Sequence, residues 1–110
     1  MTETQLQREI IQFLQCLGIV VWRTHSGTSM GGKMHHAPAG TPDIIGYLPG
    51  GRMLALEVKL PGGVVSDAQA NWLKHAKSQG VLCAVVRSPK DAADIVRDAR
   101  FDVPLQVRPA

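Results

Sequence analysis

The chain is expected to be an α/β domain, a central mixed β-sheet flanked by helices in the order α-β-β-β-α-β-α. Two observations predict this. Three segments carry helical apolar spacing or helix-capping residues, and between them lie short runs rich in β-branched residues. Pro49-Gly50-Gly51 also separates two such runs in the manner of a hairpin turn.

Residues 4 to 17 open the series as an amphipathic helix. Leu6, Ile10, Phe13, Leu14 and Leu17 recur at three- and four-residue spacing, and Gly18 marks the C-terminal stop. GIVVWRT then has the content of a short strand. His25 to Thr41 is a long Gly/Ser-rich loop with no acidic residue and four basic or potentially basic ones. Loops of that length inside small domains usually carry function or mobility. DIIGYL and RMLALEVKL flank the Pro-Gly-Gly turn and read as an antiparallel hairpin. Residues 66 to 79 form a second helix with Ser66 as N-cap and Gly80 beyond its end. VLCAVV is a near-continuous apolar run, expected as a strand buried on both faces. A third helix runs from Ser88, as N-cap, to Arg100, with Pro89 at its first position. The tail FDVPLQVRPA carries no clear assignment.

A chain of 110 residues is one domain (1–110), long enough to bury roughly two-thirds of its unfolded surface without disulfides or a structural metal. At 45% hydrophobic and 19% charged residues it is not a disordered chain. No apolar run reaches the roughly 18 residues of a membrane span. The N-terminus lacks a signal-peptide pattern, and two cysteines fit a reducing cytoplasm.

The net charge of +3 leans only mildly toward nucleic acid. The placement of acids is more informative. Between Ile10 and Ser66 only Asp43 and Glu57 are acidic. Asp43 follows Pro42, and thirteen residues separate it from Glu57-Val58-Lys59. Alternate residues of a strand share a face, so Glu57 and Lys59 project together. Antiparallel pairing across the turn brings Asp43 beside them. Two close carboxylates repel and titrate upward unless a cation lies between them. Oxygen ligands of this kind suit Mg²⁺ or Mn²⁺, and the Val58 carbonyl is a further candidate ligand. Lys59 is placed to touch a scissile phosphate or attacking water. Metal-assisted phosphodiester hydrolysis is the chemistry that fits. The plainer alternative is a charged edge hairpin, in which Glu57 and Lys59 protect an exposed strand.

The ordered series TE…LQREI, VVWR with a Ser-Gly loop, GTPDIIGYLPGGR, LEVKLPGG and S-x-x-Q-x-x-WL resembles the PD-(D/E)XK nuclease superfamily. Within it, the likeness is to the virus-type replication-repair nuclease (VRR-NUC) domain in its stand-alone phage or bacterial form, over about Thr2 to Val86. The resemblance implies a restriction-endonuclease-like core and a divalent-metal-dependent endonuclease acting on DNA. It further implies a homodimer working on branched, Holliday-junction-like DNA in the cytoplasm of a bacterial or phage-infected cell. It makes Asp43, Glu57 and Lys59 catalytic and Gln69 a polar partner of the site.

The first helix should supply another metal ligand, usually Glu. The family pattern places it at Gln7, and Glu3, one turn earlier, is the substitute. Glu3 is equally a helix N-terminal acid with Thr2 as cap. Ser66-x-x-Gln69 is also a capping box, a second role for Gln69. Arg23, His25, Ser26, Lys33, His35 and His36 are the candidate nucleic-acid contacts, with Gly31-Gly32 allowing close approach. Zinc binding by His25, His35 and His36 with Cys16 or Cys83 lacks paired ligand spacing. Trp72 and Leu73 read as core. Two rivals stand beside the nuclease reading: a catalytically silent nucleic-acid-binding module, favoured by the missing Glu at Gln7, and an RNA-directed nuclease.

Overall fold

A computed structural model describes residues 1–24 and 37–102 of the chain, with side chains through Ala99. Its elements follow the expected order: α1 (Glu3–Cys16), β1 (Val20–Arg23), β2 (Ile44–Tyr47), β3 (Met53–Val58), α2 (Asp67–Ser78), β4 (Leu82–Val86) and α3 (Pro89–Asp102). Capping explains the helix starts. Thr2 and Gln5 form a capping box on α1, and Ser66 and Gln69 form one on α2. The Asp91 backbone N–H donates to Ser88 Oγ at the start of α3. The hairpin closes where Leu48 N–H donates to the Arg52 carbonyl and Gly51 N–H to that of Leu48.

The strands lie in the order β1-β2-β3-β4, antiparallel except for the parallel β3–β4 pair. Parallel neighbours need a crossover, and α2 supplies it. One sheet face carries Val21, Ile44, Leu54, Leu56, Val58 and Val86. It packs beneath Leu6, Ile10 and Leu14 of α1 and Ala92, Val96 and Ala99 of α3. The other face is covered by α2 only on the β4 side, where the Cys83 thiol donates to the Leu73 carbonyl. Val20, Trp22, Tyr47 and Met53 remain exposed on that face toward β1.

Two expectations are corrected. The apolar run VLCAVV is not buried on both faces. Among the described residues β4 ends the sheet, and Leu82 to Val85 are half-buried. The interior strands are β2 and β3, and β3 is buried from Leu54 to Val58. Trp72 and Leu73 are half-buried, and Ala76 is the buried residue of α2. No helix among the described residues is long and apolar enough to cross a membrane.

Candidate active site

The register of the hairpin decides which polar residues meet. Ile44 pairs with Leu56, so Asp43, one residue before β2, comes opposite Glu57. The Asp43 backbone is fixed from β1. Thr24 N–H donates to the Asp43 carbonyl at 2.9 Å, and Thr24 Oγ1 donates to the Pro42 carbonyl at 2.7 Å. The Asp43 carboxylate reaches across the strand end, where its Oδ2 accepts from Val58 N–H at 3.0 Å.

Glu57 sits in β3, an interior strand, and is 1% exposed. That burial rules out the charged edge hairpin, in which Glu57 would be solvated. Its Oε1 accepts from Gln69 Nε2 at 2.9 Å and lies 3.9 Å from Lys59 Nζ. Its Oε2 is buried with no hydrogen-bond partner among the described residues. Burial, foremost, together with the nearby charge of Asp43, pushes the Glu57 carboxyl up to about 8. Lys59 opposes that rise, and Glu3 adds a further small push.

The lysine is anchored through its backbone, with Lys59 N–H donating to the Val86 carbonyl at 3.1 Å. The segment after it is held by Arg87, whose Nη1 donates to the carbonyls of Leu60 at 2.8 Å and Gly63 at 3.0 Å. Gln69 holds both roles open to it in the sequence. Its Oε1 accepts from Ser66 N–H at 2.9 Å while its Nε2 donates to Glu57. The roles separate by mutation. Ser66→Ala should lower the unfolding free energy by about 1 kcal/mol with the Glu57 contact intact. Gln69→Glu keeps an acceptor for Ser66 but sets a third carboxylate beside Glu57. It should lower both stability and any metal-free tolerance of high pH, read by denaturant melts at pH 6 and pH 9.

Other candidates come from α1 and β1. Gln7 is buried at 7% exposure on the core side of α1, and Glu3 is half-exposed in its first turn. Among the described residues, no three His, Cys, Asp or Glu side chains gather as a metal cluster. Asp43 and Glu57 are therefore a pair, which with carbonyl, water and phosphate oxygens matches the needs of Mg²⁺. The orphaned Glu57 Oε2 and the hard oxygen donors fit such a cation. Arg23 pairs with Ile44 and so lies on the opposite sheet face from the carboxylates. It is half-buried there, and its Nε has no partner among the described residues. His25, Ser26, Lys33, His35 and His36 lie outside the described residues.

Sequence reasoning missed the Val58 N–H bond to Asp43, since only the Val58 carbonyl was considered. The reach of the Asp43 carboxylate past the strand end to Val58 N–H has no local sequence signal. The Thr2-x-x-Gln5 capping box was also missed, although T-x-x-Q is readable in the sequence.

Comparison with known proteins bears on the whole arrangement. The sequence pattern of the VRR-NUC domain matches residues 1–90. A solved structure described as a VRR_NUC domain superposes with a TM-score of 0.63 at 23% identity, covering 86% of this chain and 94% of that one. That likeness extends to the fold. No match was found among curated proteins. The sequence match spans most of the chain and includes every residue of the Asp43–Glu57–Lys59–Gln69 group, so the chain belongs to the VRR-NUC domain family.

Proposed function

We propose that the protein is a divalent-metal-dependent endonuclease that hydrolyses DNA phosphodiester bonds. The observation that carries this reading is the unpartnered Oε2 of the buried Glu57, with half-buried Asp43 opposite it and Lys59 alongside. Buried charge left unpaired is costly, and a site that keeps it has a use for a cation. Asp43, Glu57 and the Val58 carbonyl would hold Mg²⁺ or Mn²⁺, with Glu3 or Gln7 of α1 reaching it through water. When bound, the cation neutralises the carboxylates, polarises a phosphate oxygen and lowers the pKa of water.

The chain's own residues do the rest. Val58 N–H occupies Asp43 Oδ2 and fixes the carboxylate plane. Gln69 occupies Glu57 Oε1 and leaves Oε2 to the cation. Lys59, held through its backbone by β4, presents a positive charge to the scissile phosphate and orients the attacking water. Arg23, His25, Ser26, Lys33, His35 and His36 are proposed contacts to the nucleic-acid backbone.

Branched, Holliday-junction-like DNA and a homodimer belong to the same reading, because one small subunit offers two strands a single site. The exposed Val20, Trp22, Tyr47 and Met53 share the sheet face of Asp43 and Glu57. Contiguous apolar side chains of this kind mark association surfaces. Sedimentation velocity should give twice the mass of one chain, and Tyr47→Arg should halve it. A monomer at all concentrations would remove the dimer from the account. Gel assays on linear, flap and four-way-junction DNA and on RNA, with Mg²⁺, Mn²⁺ or EDTA, test substrate and metal together. Metal-dependent cutting of junctions in preference to linear duplex is expected. Tight binding of every substrate with no cutting would favour the silent binding module.

A further inference from the structure

We propose that Gly40 is a positioning residue, setting the first turn of α2 so that Gln69 reaches Glu57; this rests on the reading of Gln69 as part of the active site. Gly40 lies three residues before Asp43, in a turn closed by Thr41 N–H and Thr41 Oγ1 donating to the Pro38 carbonyl. Its backbone is pressed against that of α2. A Cβ on Gly40 would collide with the carbonyl oxygen and carbon of Ala68 and lie 2.8 Å from the Gln69 nitrogen. These are backbone atoms at the start of a capped helix and cannot rotate away. Gly40 also has φ +82°, a left-handed conformation that disfavours any side chain.

The contact joins two pieces of the site. On one side Pro42 is buried and Asp43 is tied to Thr24 and Val58. On the other, Gln69 donates to Glu57 over 2.9 Å, a bond that tolerates little displacement. Any side chain at position 40 must push the helix turn outward, and Gln69 moves with it. The loop bearing one carboxylate thereby sets the polar partner of the other.

Backbone strain and the steric contact are separable. Gly62 has φ +85° with nothing within 4 Å of its would-be Cβ, so Gly62→Ala imposes strain without a collision. The readout is the side-chain amide pair of Gln69 in ¹⁵N–¹H spectra of the metal-free protein, assigned by its loss in Gln69→Ala. Gly40→Ala should shift that pair while Gly62→Ala leaves it in place. In cleavage assays Gly40→Ala should lower kcat between about tenfold and about 10²-fold, the scale of small misplacements at a reacting centre. In a Gln69→Ala background the same change should add less than about twofold, since the partner is already gone.

A folded Gly40→Ala protein with unmoved Gln69 amide signals overturns the proposal. If Gly40→Ala fails to fold, Thr41→Val decides. It removes the hydroxyl bond that tightens the turn while keeping the backbone bond. Movement of the Gln69 signals in Thr41→Val supports the proposal, and unchanged signals overturn it. Because the spectra require neither metal nor cleavage, they answer this question even if the protein cuts no DNA.

Discussion

Asp43→Ala should abolish DNA cleavage, lowering the rate by roughly 10³-fold or more, the effect of losing several kcal/mol of charge stabilisation at phosphate. Asp43 is the one carboxylate that the hairpin register brings opposite Glu57, and its backbone is fixed by Thr24. Removing it leaves Glu57 as a single carboxylate, a weak anchor for a cation that discards its water reluctantly. The same change strips Val58 N–H of its acceptor. An unsatisfied donor near the interior costs about 1–3 kcal/mol, but relief of repulsion on Glu57 offsets part of it. The variant should therefore fold, with a modest change in urea midpoint. A folded Asp43→Ala protein that cuts at the wild-type rate in Mg²⁺ would show that the pair is structural.

Glu57→Gln should stop cleavage to a similar extent and also flatten the pH response of the metal-free protein. In the unfolded chain the carboxyl ionises near its ordinary 4.5, whereas in the folded protein it does so near 8. Below pH 4.5 both states carry the proton. Between the two values the unfolded state has lost it and the folded state retains it. Stability contributed by this group is therefore greatest at low pH, falls as pH rises through that window, and levels off above about 8. A single group can contribute a slope of up to about 1.4 kcal/mol per pH unit there. Glu57→Gln cannot ionise, so its denaturant midpoint in EDTA should decline less between pH 5 and pH 9 than that of the wild type. Mn²⁺ should restore wild-type stability most strongly at the alkaline end, where its ligand is ionised, and should leave Glu57→Gln unaffected. Parallel pH curves for the two proteins would contradict the burial of this carboxyl.

Much of this site was legible in the sequence because it depends on local rules. Period-two alternation puts Glu57 and Lys59 on one face, and Pro49-Gly50-Gly51 fixes a hairpin that returns the chain to Asp43. Ser66 and Gln69 announce a helix start, and the structure shows Gln69 serving cap and carboxylate together. What was not legible depends on assembly. VLCAVV and MLALEV are both apolar runs, and nothing within either says which lies inside the sheet. That follows from β4 returning parallel beside β3 through α2, which makes β3 an interior strand and β4 the end of the sheet among the described residues. The depth of Glu57, and so its raised pKa, is a consequence of that choice. The approach of Gly40 to Ala68 spans a long sequence separation and leaves no mark in the local pattern. Gln7 illustrates the opposite case. The family pattern singles it out, and it is buried on the core side of α1, while no three His, Cys, Asp or Glu side chains gather among the described residues.

The most direct measurement is single-turnover cleavage of an end-labelled four-way DNA junction by the wild-type protein and Asp43→Ala, each in Mg²⁺ and in EDTA. Cleavage is expected in one condition of the four, wild type with Mg²⁺, while both proteins still shift the junction in a gel. Cleavage by wild type in EDTA, or by Asp43→Ala in Mg²⁺ at the wild-type rate, would contradict it. Junction binding with no cleavage in any condition, Mn²⁺ included, would contradict it equally and leave a nuclease fold that only binds.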